Sequence, residues 1–177
     1  KIIESYWFQR LKYIHHAGTD FTFSYKTHTR YQHAIGVYCL TVKFFPDSEV
    51  MRLSALLHDI GHLPFSHAVE DAFSTVSKAE GSIHHEFNKE ILFKTEIDKI
   101  LRWRAIPPRL IYDMIEGNYN NYKSPLKPAG NILGLDLLDC FVRDTYYSGL
   151  LKKQPAALLK KINVSEHGVV TDEKTAM

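Results

Sequence analysis

SALLHDIGHLPFSH, Ser54 to His67, sets the adjacent pair His58 and Asp59 at the end of an apolar run and follows them with Gly61, His62 and His67. Val50, Met51, Leu53, Leu56 and Leu57 recur at the helical period, with Asp47 or Ser48 as the start and Gly61 and Pro64 as the exit. The run therefore predicts a helix whose C-terminal end carries the pair. In a regular helix neighbouring side chains point about 100° apart, so His58 and Asp59 can converge on one point only near a helix end, where Gly61 puts them. Two metal-competent side chains do not close a site. Working outward, Arg30 and His33 lie upstream and Asp136 opens a helix-like segment downstream, which completes the order of a four-ligand His, His-Asp, Asp metal site.

The rest of the chain is helical in period almost throughout. Ser5 caps a first helix carrying Trp7, Phe8, Leu11 and Ile14 and ending near Gly18, and Phe21 to Tyr25 alternates briefly as an extended connector. Thr29 with Gln32 has capping-box spacing for a helix with Ala34, Val37, Tyr38, Thr41, Phe44 and Phe45 inward, closed by Pro46. A short helix is expected from about Ser66 to Phe73, and Ser82 is expected to cap the helix carrying His84, His85, Phe87, Ile91 and Leu92. Thr95 starts the next, Pro107 and Pro108 another that stops at Gly117, and Gly117 to Gly130 reads as a loop. A long helix is predicted from about Ile132 to Tyr147. After Pro155 come a short helix and a hairpin with Ile162 to Val164 and Val169 to Val170 around a Ser165 to Gly168 turn. The fold class is all-α, a helical bundle around a metal site with a small C-terminal β-hairpin; residues 1–150 form the domain and 151–177 begin a C-terminal extension.

At 177 residues, 45% hydrophobic and 24% charged, the chain is long enough to bury one core, and its apolar runs are far too short to span a membrane. The absence of a signal-peptide pattern and the two cysteines, Cys39 and Cys140, read as buried free thiols in helices, fit a cytoplasmic location. A net charge of +2 is too small to demand a nucleic-acid partner. The chain starts at Lys1 without methionine and stops in a helix-start pattern at Thr171 to Met177, so it reads as a piece of a longer protein.

Mixed histidine and carboxylate ligation suits a hard or borderline divalent ion, with Fe, Mn, Zn, Co, Ni and Mg all open, and the lack of cysteine in the cluster argues against a structural thiolate zinc site. An ion with about four protein ligands and open positions polarises water and a phosphoryl oxygen together, which points to hydrolysis of phosphate esters. His62 and His67 lie near the metal if their segment folds over it, and His85 with Glu70 forms a carboxylate-oriented histidine. Arg30 suits bidentate phosphate binding. Asp139 and Arg143 read as a modest surface salt bridge, and Asp144, two turns beyond Asp136, is placed to reach substrate.

FQRLKYI at Phe8 to Ile14, HTRYQHAIGV at His28 to Val37, LLHDIGHLPFSH at Leu56 to His67, HHE at His84 to Glu86 and LDLLDCFVRD at Leu135 to Asp144 resemble, in order, the HD-domain metal-dependent phosphohydrolase superfamily. They are most similar to its deoxynucleotide triphosphohydrolase branch, which includes the enzyme joining a sterile-alpha-motif domain to an HD domain. The resemblance implies His33, His58, Asp59 and Asp136 as metal ligands, Arg30 on phosphate, His85 on the scissile phosphate, His62 as a second catalytic-pocket histidine, and support from Glu70, where an aspartate is expected and Asp71 is the alternative. It also implies a possible homo-oligomer. The branch has a phosphate-binding lysine and a sugar-stacking tyrosine after the metal aspartate, where this chain has Leu137 and Cys140; a nucleotide-contacting glutamine-leucine pair is replaced by His16 and Ala17. These changes touch the substrate contacts and leave the metal set intact.

Three functions follow. The first is a divalent-metal phosphohydrolase acting on a nucleotide or another phosphate ester, with Arg30 as phosphate clamp, His16 and Asp144 on substrate, and His85, aided by His62, as acid-base group. The second keeps the site and takes single-stranded nucleic acid, with Lys123 and Lys127 on its loop. The third is a nucleotide-sensing module that keeps the metal for stability.

Overall fold

The computed structural model describes residues 1–65, 68–70, 72, 75, 83–117, 134–165 and 168–170. Helix α1 spans Tyr6–Gln9, where the Ser5 side chain accepts from the Phe8 N–H, and it tightens at once into a 3-10 turn over Arg10–Tyr13. The first helix is therefore shorter than its apolar pattern predicts. Ile14 leaves it in extended backbone because tertiary pairing takes over: its carbonyl accepts from Arg30 N at 2.9 Å, and His16 N donates to the His28 carbonyl at 3.0 Å. The expected extended connector is also corrected. Phe21–Ser24 is a helical turn, α2, ended by Tyr25 at φ 57°, and its aromatic alternation buries neither Phe23, 87% exposed, nor Tyr25, 78% exposed.

Helix α3 spans Arg30–Phe44 behind the Thr29 capping box, in which Thr29 accepts from Gln32 N and Gln32 accepts from Thr29 N. Ser48 caps α4, Glu49–Leu57, by accepting from Met51 N. Helix α5 spans Ile83–Lys94, and α6, Glu96–Trp103, is capped by Thr95. Pro108 opens α7, Pro108–Glu116, which stops at Gly117, and α8 spans Leu135–Tyr147. Helix α9 is Pro155–Leu159, and strands β1, Asn163–Ser165, and β2, Gly168–Val170, pair antiparallel with Asn163 opposite Val170. Ser82, Asp71 and the 118–133 stretch with Lys123 and Lys127 lie outside the described residues.

The all-α class holds. Helix α3 packs between α4 and α8, α4 also packs on α7, and α5 packs on α6 and α7. Phe8, Leu11, Ala34, Leu56, Leu57, Ile60, Ile91, Leu92, Leu101 and Ile111 form one core; Val37, Leu40, Ala55, Leu135, Leu138, Leu159 and Ile162 form a second on the other side of the α3–α4 pair. Each fully buried Leu or Ile contributes about 1.5–3 kcal/mol. Lys43 ties the C-terminal segment to α3 by donating to the Lys160 carbonyl at 2.9 Å. Both thiols are free, but Cys39 is exposed and Cys140 half-buried, because each sits on the rim of its helix's apolar stripe; this corrects the expectation of burial. Among the described residues no helix is long and apolar enough to cross a membrane.

Two glycines are set by close approach. A Cβ on Gly36 would lie 2.0 Å from the Asp139 Oδ1 where α3 crosses α8. One on Gly61 would meet backbone of α5, 2.4 Å from the His84 carbonyl oxygen and 2.5 Å from Asn88 N. Because backbone yields less than a side-chain tip, Gly61→Ala is expected to cost about 1–3 kcal/mol, seen as a lower denaturation midpoint with an unchanged denaturant slope.

Candidate metal centre

The capping box makes Arg30 the first residue of α3 and His33 the fourth, so both project from its first turn. Helix α4 ends at Leu57, and residues 58–61 form a turn in which Ile60 N donates to Leu57 O at 3.1 Å and His62 N to Asp59 O at 3.1 Å. That turn lets His58 and Asp59 face one side. Its backbone carbonyls, left over at a helix end, find donors from far along the chain. Arg10 donates to the Ile60 carbonyl at 2.6 Å and the His62 carbonyl at 2.8 Å. Asn88 donates to the His58 carbonyl at 3.2 Å and accepts from Gly61 N at 2.7 Å.

Each of the two central imidazoles is anchored through Nδ1. His33 Nδ1 is 2.9 Å from Asp139 Oδ2, and His58 Nδ1 is 2.8 Å from the Ala55 carbonyl oxygen. With Nδ1–H donated to each acceptor, as a metal-bound histidine requires, both Nε2 atoms would be available as ligands, and they stand 3.2 Å apart. Asp136 Oδ1 stands 2.9 Å from His33 Nε2 and 3.7 Å from His58 Nε2, and Asp59 Oδ1 is 3.5 Å from His58 Nε2. Ligands about 2.0–2.2 Å from one ion are separated by distances of this size. His33, His58 and Asp136 form one donor set. The residues present thus fit a divalent ion.

The electrostatics agree. Burial opposes a charge on His33, but hydrogen bonds to Asp136 and Asp139 outweigh it and raise its pKa to about 9. Burial opposes the Asp136 charge too, yet His33 and His58 hold that carboxyl below its usual range. At Asp59 burial is again overcome, first by Arg30 and then by His58 and His62, so the carboxyl is held well below its usual range. The carboxylates gathered around the two nitrogens favour positive charge there, whether a proton on the imidazoles or a bound cation.

Arg30 is buried, donates from Nη1 to Asp59 Oδ2 at 2.7 Å, and lines a cavity of about 620 Å³ above the cluster. His62 and His16 line the same cavity with Asp144, His84 and His85. His62 Nε2 is 3.3 Å from Asp59 Oδ1, and its Nδ1 is 3.4 Å from Glu70 Oε1. His16 stacks on His28 at 5.0 Å and tilts against His33 at 4.4 Å; burial, then the positive neighbours His33 and Arg30, lower its pKa to about 2. Asp144 binds Lys26 at 2.9 Å. His67 lies outside the described residues.

One pairing is corrected. Glu70 holds His84, whose Nδ1 is 2.9 Å from Oε2, and the His84 ring stacks on His62 at 4.2 Å; His85 Nδ1 instead meets Glu116 Oε1 at 2.6 Å. Adjacent residues on α5 point about 100° apart, so one turns to Glu70 and the other to α7. Asp139 is also not a surface partner. It is fully buried and bridges His33 to Arg143, whose Nε donates at 2.7 Å. Its place three residues after Asp136, on one helix face, was the available signal. Arg10 had only its place in FQRLKYI, Asn88 only its spacing of four from His84, and Glu116 none.

The sequence profile of the HD domain matches residues 30–146. This chain belongs to the HD domain family. An uncharacterized protein of Mycoplasma pneumoniae is 34% identical over 170 residues, covering 84% of this chain and 39% of the relative. A deoxynucleoside triphosphate triphosphohydrolase, the SAMHD1 homolog of Dictyostelium discoideum, is 30% identical over 171 residues, covering 83% of this chain and 33% of the relative. The crystal structure of a hypothetical protein from Aquifex aeolicus superposes with a TM-score of 0.70 at 28% identity, over 98% of this chain and 49% of that one. The HD chain thus spans a third to a half of the length of these relatives.

Asp139→Asn is expected to lower affinity of the HD centre for manganese or cobalt by about 10–100-fold, because the group that orients a ligand histidine loses its charge. Calorimetric titration checks this; an unchanged affinity would remove Asp139 from the centre.

Proposed function

We propose that the chain is the HD domain of a divalent-metal-dependent phosphohydrolase that acts on a nucleotide or a related phosphate ester. The observation that carries this reading is the pair of His33 and His58 Nε2 atoms, 3.2 Å apart, the second of them on a cavity also lined by Asp59, Asp136, Arg30 and Lys26. Two fixed cationic side chains beside a metal centre attract a phosphate group. The triphosphohydrolase name of the Dictyostelium relative supports a nucleotide.

His33, His58, Asp59 and Asp136 would hold the ion, whose chemistry is Lewis-acid activation of water and polarisation of a phosphoryl oxygen. The donor set of nitrogens and carboxylates suits iron, manganese, cobalt, nickel, zinc or magnesium. Arg30 keeps Asp59 ionised and presents positive charge toward the phosphate. His85, oriented through Nδ1 by Glu116, offers Nε2 for proton transfer to the leaving oxygen. His62, stacked on the Glu70-held His84, forms a second proton-handling pair on the same side of the cavity. His16 and Asp144 line the part of the cavity where a sugar or base would rest.

Incubation with a panel of nucleotides and added manganese, cobalt or iron is expected to release phosphate or polyphosphate. Full activity in a His58→Ala, Asp59→Ala double variant would overturn the reading. His85→Ala is expected to lower kcat by about 10²–10⁴-fold, the usual worth of a general acid or base, with metal content unchanged.

A further inference from the structure

We infer that a second divalent cation, zinc or a similarly thiophilic ion, binds where His16, Cys140 and Asp144 meet on the wall of the cavity. One donor atom from each residue, an imidazole nitrogen, a thiol sulfur and a carboxylate oxygen, lies within 4.8 Å of the other two. Zinc with bond lengths of about 2.0–2.3 Å to such donors needs them about 3.3–3.8 Å apart, a closure that small side-chain rotations supply. Cys140 and Asp144 are four apart on α8 and so stand one above the other on one face, the spacing at which a helix presents two ligands to one ion. His16 comes from the segment before α3, its backbone fixed by the bond to His28.

A separate observation points to a missing partner. Asp144 Oδ2 is taken by Lys26 at 2.9 Å, while Oδ1 is covered, stands 3.4 Å from His28 Nε2 and makes no hydrogen bond among the described residues. A buried carboxylate oxygen with unused acceptor capacity is costly unless something binds it. The mixed nitrogen, sulfur and oxygen set favours zinc over magnesium or calcium. On binding, the Cys140 thiol gives its proton to solvent and ligates as thiolate. The set shares no residue with His33, His58, Asp59 and Asp136, although a His16 ring nitrogen also lies within 4.8 Å of donor atoms of His33 and Asp59, so the two sites adjoin. It leaves a coordination position toward the cavity, where an ion would meet any ligand that reaches the HD centre.

This inference goes beyond the hydrolase reading and does not need it. Chelator-treated chain titrated with cobalt(II), the spectroscopic stand-in for zinc, is expected to develop a thiolate-to-cobalt charge-transfer band in the near ultraviolet. The band is expected to persist in Cys39→Ser, which removes the other thiol, and in the His58→Ala, Asp59→Ala variant. It is expected to vanish in Cys140→Ser and to require more cobalt in His16→Ala, which leaves α8 untouched; circular dichroism checks that each variant is folded. No band in the wild-type chain, a band that survives in folded Cys140→Ser, or a His16→Ala titration identical to wild type would each overturn the site. A Cys140-dependent band in a chain that hydrolyses no nucleotide would uphold this site while removing the hydrolase reading.

Discussion

Two imidazole nitrogens, His33 Nε2 and His58 Nε2, are held 3.2 Å apart by a helix start on one side and a helix end on the other. Most of the architecture serves that juxtaposition. The α3–α4 pair must cross closely enough to bring Arg30 and His33 over the 58–61 turn, and it does so between two apolar clusters that clamp it from both sides. Removing charged and polar groups from water here is expensive, and each is compensated by a partner. Asp139 takes the rear of His33, Ala55 takes the rear of His58, and Arg30 takes the outer oxygen of Asp59.

The turn that carries His58 and Asp59 is itself held from a distance. A helix end exposes carbonyls that need donors, and in this chain Arg10 and Asn88 provide them. Gly61 is bare because α5 backbone occupies the place of its side chain. The 58–61 turn is thus locked from the 3-10 turn at Arg10 and from α5 at once, so the geometry of the site depends on segments that contribute none of the candidate ligands.

Around this centre the cavity has two chemically different sides. One carries the His62 and His84 stack on Glu70, with His85 on Glu116. The other carries His16, Cys140 and Asp144 with Lys26. The first pairs each of its histidines His84 and His85 with a carboxylate. The second is where the chain departs from the triphosphohydrolase pattern, and it concentrates unusual donor chemistry on the wall a substrate would use.

The local signals were legible. Thr29, Ser48 and Thr95 announce their helices because a cap is a bond between residues two or three apart, and of the expected ligands the fold gathers His33, His58 and Asp136 into one donor set with Asp59 beside His58. The break of the first helix at Ile14 was not legible, since it is made by pairing with Arg30. Nor were the choice of His84 over His85 for Glu70, the burial of Asp139, or the grip of Arg10 on the 58–61 turn. By itself the sequence determined the helical class and the identity of the metal-competent residues, because period, caps and side-chain chemistry are properties of neighbouring residues. Only the tertiary structure decided which carboxylate orients which histidine, because each of those pairs joins groups that chain proximity leaves undetermined and packing alone brings within 3 Å.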